Sequence, residues 1–164
     1  MIRFLFFTLF LLSLSGCASM DASGPAFQKY ESIPQGKSLI YLLKPDSASQ
    51  DGVTACLALK LDDKEYGCVK GKGYVLAEVE PGNYKAALIN KSSFGFKLLQ
   101  FDLVVPENEV VYLEYAFGRS LNGEVLDSRY AGLGVVFSGN HAIAPISELE
   151  ALNKLSSLFE SGKL

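Results

Sequence analysis

The sequence predicts a mainly β protein: an antiparallel β-sandwich of about seven to eight strands, closed by one C-terminal amphipathic α-helix. Three observations carry that expectation. Short apolar stretches alternate with polar residues at a period of two, as in Leu57, Leu59 and Leu61 or Leu99, Phe101, Leu103 and Val105. Turn signals such as Pro81-Gly82 and Pro106-Glu107-Asn108 separate them. A helical stripe, Leu149, Leu152, Leu155 and Leu158, occurs once and late. A length of 164 residues suits one domain with a sizeable core.

The first element is not part of that domain. Arg3 precedes an apolar run from Phe4 to Leu14, shorter than the roughly 20 residues a membrane-spanning helix needs. The run reads as an export signal over residues 1–16. It ends in Leu14-Ser15-Gly16-Cys17, which resembles the lipobox of bacterial lipoproteins. The resemblance implies cleavage before Cys17, acylation of that cysteine, and an anchor of several acyl chains, durable because each buried CH₂ contributes about 0.8 kcal/mol. Ala18, not aspartate, follows the cysteine, which implies the periplasmic leaflet of the outer membrane. Residues 17–36, rich in Ser, Gly, Pro and Gln without an apolar period, read as the lipidated cysteine and a flexible tether spanning about 60 Å at full stretch.

Residues 37–164 form the expected domain. Lys37–Lys44 holds the unbroken run Leu39 to Leu43, the pattern of a strand covered on both faces, and Pro45 stops it. Val53–Leu61 and Tyr66–Val69 pair around a turn at Asp63-Lys64. With that register Cys68 shares a face with Leu57, Leu59 and Leu61 while Cys56 points the other way, so a disulfide needs a bulge. The export compartment favours pairing and the register opposes it, which leaves the Cys56–Cys68 bond open. Lys70-Gly71-Lys72-Gly73 is a bulged loop, lacking the spacing of a phosphate loop.

Tyr74–Asn90 reads as a tight hairpin about Pro81-Gly82, pairing Val79 with Tyr84, Ala77 with Ala86 and Val75 with Leu88 on a core face, and Glu78 with Lys85 on the exposed one. Phe94–Val105 and Val110–Phe117 read as another hairpin about Pro106-Glu107-Asn108. Tyr115 and Phe117 share the Val111/Leu113 core face; Tyr112 and Glu114 face the other way. Beyond a polar stretch with a turn at Asn122-Gly123, Ala131–Phe137 is the last strand. Ser147 and Glu150 form a capping box that starts the helix, expected to dock its stripe over the Leu76/Ile89 region.

Ile40-Tyr41-Leu42-Leu43-Lys44, Leu61-Asp62-Asp63-Lys64, Gly73-Tyr74 and Pro81-Gly82-Asn83-Tyr84, with the late helix, together resemble an uncharacterised family of small bacterial lipoproteins carrying a domain of unknown function. The resemblance covers residues 36–160 and implies a transthyretin-like or carbohydrate-binding-like β-sandwich. An arginine is usual in that pattern where Lys44 stands. The resemblance brings no catalytic residues.

The formal net charge of −3 excludes a phosphate-tracking nucleic-acid binder with a clustered basic face. A single histidine excludes multi-histidine metal sites. His141, in the turn-like Ser138-Gly139-Asn140-His141, has no nucleophile-elbow motif to serve. Asp62, Asp63 and Glu65 lack calcium-loop spacing and read as turn residues. No cofactor, metal or catalytic residue is therefore expected. The expected partners are a membrane, through lipid on Cys17, and another envelope protein. The expected function is a non-enzymatic, lipid-anchored binding or interaction module. A carrier of a lipid or other apolar ligand inside the sandwich is the alternative, on the 49% hydrophobic composition, and a histidine-dependent hydrolase ranks third.

Overall fold

The structure is a computed structural model that describes residues 21–47, 56–91, 97–117, 136–138 and 141–161. The signal segment, Cys17 and the turn at Asn122-Gly123 lie outside them. Within them the β-sandwich is present as a four-stranded and a six-stranded sheet, with one short helix near the C-terminus. Strands run β1 (Ser38–Lys44), β2 (Leu57–Leu61), β3 (Lys64–Val69), β4 (Gly73–Val79), β5 (Gly82–Asn90), β6 (Lys97–Val105), β7 (Val110–Phe117), β8 (Val136–Ser138), β9 (His141–Pro145), then helix α1 (Glu148–Leu155) and β10 (Phe159–Glu160).

The six-stranded sheet has the order β10-β4-β1-β7-β9-β8, the other β3-β2-β5-β6. The larger sheet is mixed, because β1 runs parallel to β7 and β10 parallel to β4. β1 is buried along its whole length, as its unbroken apolar run requires of a central strand.

The strand faces follow the alternation, but the neighbours do not. β4 pairs with β1, not with β5, so Pro81-Gly82 is a corner that carries the chain from one sheet to the other. Val75, Ala77 and Val79 meet Ala86 and Leu88 across the core instead of side by side. The expected Glu78–Lys85 pair is absent for the same reason; Lys85 reaches Asp102 on β6 at 2.5 Å. A tyrosine pins the corner: the Tyr84 hydroxyl donates to the Glu80 carbonyl at 2.7 Å, the local device known as a tyrosine corner. Pro106-Glu107-Asn108 is likewise a crossover, from β6 to β7 in the larger sheet. Alternation reports which face is dry, and both corners satisfy it equally well.

The β2–β3 turn falls at Asp62-Asp63, one residue earlier than expected, with Asp62 at φ 50° and Leu61 opposite Lys64. A register shift between Ala58 and Lys60 then sets Ala58 opposite Cys68. That bulge turns Cys68 onto the face of Cys56, and the two are joined as a disulfide with Cα atoms 5.3 Å apart. The expected last strand, Ala131–Phe137, is not the last: β8 takes up its end, its residues 131–135 lie outside the described ones, and β9 follows from His141, pairing His141–Pro145 with Leu113–Phe117. Ser147 caps α1 by accepting from the Glu150 amide at 3.3 Å. The helix ends at Leu155, so Leu158 and Phe159 reach the sheet by a separate turn.

The segment expected to hang as a tether is docked from Asp21 onward. Asp21 bridges Gly71, Ala26 bridges Phe159, and Ala22 is buried. This strap and α1 cover the outer face of the six-stranded sheet. The helix sits over Leu76 as expected; Ile89 belongs to the other sheet.

Candidate functional site

Alternation in β1, β4 and β7 directs Ile40, Leu42, Val75, Ala77, Val111, Leu113 and Tyr115 into the sandwich. The intervening residues face outward, and they include Tyr41, Tyr74 and Tyr112. The three tyrosines form a continuous aromatic surface. Tyr41 and Tyr112, in register on the parallel pair, stack at 5.5 Å between centroids with planes 12° apart. Phe27 of the strap stands edge-on to Tyr41 at 5.8 Å and to Tyr74 at 5.6 Å. Such edge contacts orient the positive rim of one ring toward the negative face of the next. Burial raises the Tyr41 phenol above its ordinary value, partly offset by a hydrogen bond with the Tyr30 backbone. Burial raises Tyr74 as well, with Glu160 adding to it.

On the helix side, Leu155, Ala151 and Leu158 join this cluster. Glu114, 7% exposed, faces outward beside Tyr112 and is met by the Lys154 ammonium, which also bonds Glu150 at 2.7 Å. Burial alone would lower the pKa of Lys154; the hydrogen bonds it donates to Glu114 and Glu150 outweigh that and hold the ammonium above its usual value. A cleft of about 220 Å³ opens between the strap residues Lys29–Ile33 and the floor of Leu39, Tyr41, Val110 and Tyr112, with Glu148 at its rim. Lys29 and Glu148 bridge it at 2.9 Å. Among the described residues, two of the four exposed large apolar ones, Tyr30 (41%) and Leu149 (74%), are the chain neighbours of that bridge.

The sequence-singled residues disperse. Cys17 is outside the described residues, and Cys56–Cys68 lies at the start of β2. His141 stands at the head of β9 with Nδ1 2.7 Å from the Tyr115 hydroxyl and its ring on Phe117. Asp62, Asp63 and Glu65 serve the hairpin: Asp62 accepts from the Lys85 amide at 2.9 Å, and Asp63 and Glu65 pair with Lys60 and Lys91. No group of three or more acidic, histidine or cysteine side chains among the described residues could hold a metal. The aromatic outer face was half legible. Alternation sets Tyr112 on the outer side of β7, but Phe27 sits in a stretch with no periodicity to announce it.

The family model for a protein of unknown function, DUF2846, matches residues 34–129. The chain belongs to the DUF2846 family. The matched span takes in β1 to β7, which is the whole four-stranded sheet and β4, β1 and β7 of the other, while the strap as far as Ile33, β8, β9, α1 and β10 fall outside it. Within it, Tyr41 lies in the aromatic surface and Tyr84 pins the corner. A Cβ at Gly73 would stand 2.5 Å from Ser161 Oγ and 2.7 Å from the Ala22 Cβ, so this DUF2846 chain leaves no room there for a side chain. No curated protein and no solved structure matches the chain.

Proposed function

We propose that this DUF2846 protein is a non-enzymatic interaction module, anchored by lipid on Cys17 to the outer membrane of a bacterial envelope and exposed to the periplasm. In fold the module is a transthyretin-like or carbohydrate-binding-like sandwich. The observation that carries the interaction reading is the outer cleft, where an aromatic floor of Tyr41 and Tyr112 lies beside exposed Tyr30 and Leu149. Aromatic residues around a polar-rimmed depression are the composition of protein contact surfaces. Its volume, about 220 Å³, is below the 300–1,000 Å³ usual for small-molecule sites, so an extended segment of a partner protein suits it better than an enclosed ligand. The sandwich interior is occupied by its own side chains, Leu42, Leu59, Leu88 and Leu113 among them, which favours this reading over a carrier.

A photo-crosslinking residue at Leu149 should capture a reproducible envelope protein in intact cells, while one at Val104, also exposed but on the other sheet, should not. Capture at neither position sinks the interaction reading. The anchor is tested separately. Cys17→Ser should abolish palmitate incorporation and release the protein from the membrane fraction, because acyl transfer requires the thiol. Incorporation that survives the substitution would refute it.

A further inference from the structure

The strap decides how long the leash to the lipid is. Asp21 is fixed to the β3–β4 loop: the Ala22 amide donates to the Gly71 carbonyl at 2.7 Å, and the Asp21 carboxylate accepts from Ser47 at 3.1 Å with Lys72 Nζ 3.8 Å away. Farther along, Glu160 donates its amide to the Pro25 carbonyl at 2.8 Å, and Phe27 is wedged against Tyr41 and Tyr74. The fit is close. A Cβ at Gly24 would stand 2.3 Å from the Glu160 carbonyl oxygen. With the strap docked, only four residue steps separate Cys17 from Asp21, about 14 Å at full stretch; with it released, the twenty steps to Lys37 reach about 70 Å. A domain of this size has a radius of gyration of about 14 Å. The short leash therefore holds the end of the sandwich around Gly71 within about 14 Å of the bilayer.

That end differs in charge from the other. β1 and β4 run from pole to pole, with Lys44 opposite Gly73 at one end and Ser38 opposite Val79 at the other. The Gly71 pole exposes Lys70 and Lys72, with Asp21, Asp46 and Glu160 half-buried beside them. The far pole exposes Glu80, Glu107 and Glu109, with half-buried Lys37.

We propose that the docked strap lays the Lys70–Gly73 pole against anionic phospholipid headgroups and points the acidic pole away from the membrane. This rests on the reading of Cys17 as the acylated residue. The lysines attract the negative headgroup layer, and the carboxylates of the far pole are repelled by it. Releasing the strap frees the domain to tumble on a leash several times longer.

The test uses the acylated full-length protein on phosphatidylglycerol-containing vesicles that carry a headgroup-attached energy acceptor. A donor dye is placed through Ser157→Cys beside the Gly71 pole or Asn83→Cys beside the far pole, both exposed and uncharged, with the Cys56–Cys68 bond kept oxidised. Transfer from position 157 should exceed that from position 83 several-fold. Gly24→Val, or independently Phe27→Ala, should bring that ratio to about one while the protein stays bound. Replacing phosphatidylglycerol by phosphatidylcholine should lower the ratio about twofold, and no change would overturn the headgroup attraction. Equal transfer from both positions in the bound parent protein would overturn the orientation and leave the anchor standing. An acylated protein that binds no better than Cys17→Ser would instead overturn the anchor.

Discussion

The two sheets of this sandwich treat their outer faces differently. The four-stranded sheet turns Lys85, Gln100, Asp102 and Val104 to solvent and leaves them there. The six-stranded sheet turns out Tyr41, Tyr74, Tyr112 and Glu114, and covers them with the strap and α1. A sheet with charge on its outer face is finished by water, whereas an aromatic outer face needs another layer. Here that layer comes from the two flanks of the chain, outside the span that matches the DUF2846 model. The inner core is built mainly within the matched span, with Ile143 of β9 added from outside it, and the outer one is closed by the flanking strap and α1.

Breaking the inner core should be the costliest change. Leu42→Ala, at a fully buried position facing the other sheet, should destabilise the protein by about 2–5 kcal/mol in denaturant titrations, lowering the single global transition. Opening the Cys56–Cys68 bond by the paired substitution Cys56→Ala/Cys68→Ala should cost about 3 kcal/mol, from the entropy returned to the unfolded chain. The loss should appear with the β2–β3 sheet and not with the strap.

Phe27→Ala tests the outer layer, and here the expected loss is about 1–2 kcal/mol because the ring is only partly buried. Hydrogen exchange should accelerate at the Ala22 and Glu160 amides and stay slow in β1. An outer layer that unfolds only together with β1 would erase the distinction between the two cores.

Alkaline pH should act on the same layer. Lys154 has its pKa raised in the folded state, so its contribution is complete below the unfolded value near 10.5 and fades as pH climbs through the folded one. The raised phenols of Tyr41 and Tyr74 work in the same direction, since the unfolded chain ionises first above pH about 10. Exchange at Ala22 should therefore quicken above that pH before the global transition moves. The smallest effect belongs to Ser147→Ala, which removes the α1 cap and should cost about 1 kcal/mol, read as fraying of the first helical turn.

The sequence made faces legible and partners illegible. The burial of β1 follows from its unbroken apolar run, and the inner face of β6 and the outward turn of Tyr112 follow from alternation. The two proline turns misled because a hairpin and a sheet-to-sheet corner demand the same alternation; what separates them is that β1 needs β4 and β7 as neighbours, a long-range fact. β9, His-Ala-Ile-Ala-Pro, is too short and small-sided to stand out. The cysteine pairing turned on a single bulge, which shifts every later face by one. The strap carries Phe27 as its apolar wedge and holds otherwise by backbone bonds and single polar pairs, Asp21 with Ser47 and Lys29 with Glu148, which leave no periodic mark on the sequence.

The strap also has a place in time. Its partners at the far end are Phe159 and Glu160, more than 130 positions downstream of Ala26. A chain that emerges with its amino end first carries these early residues undocked until almost everything else has appeared. Closure of the strap on β10 is accordingly among the last steps in building the molecule, and it marks the moment at which the chain has been delivered as far as residue 160.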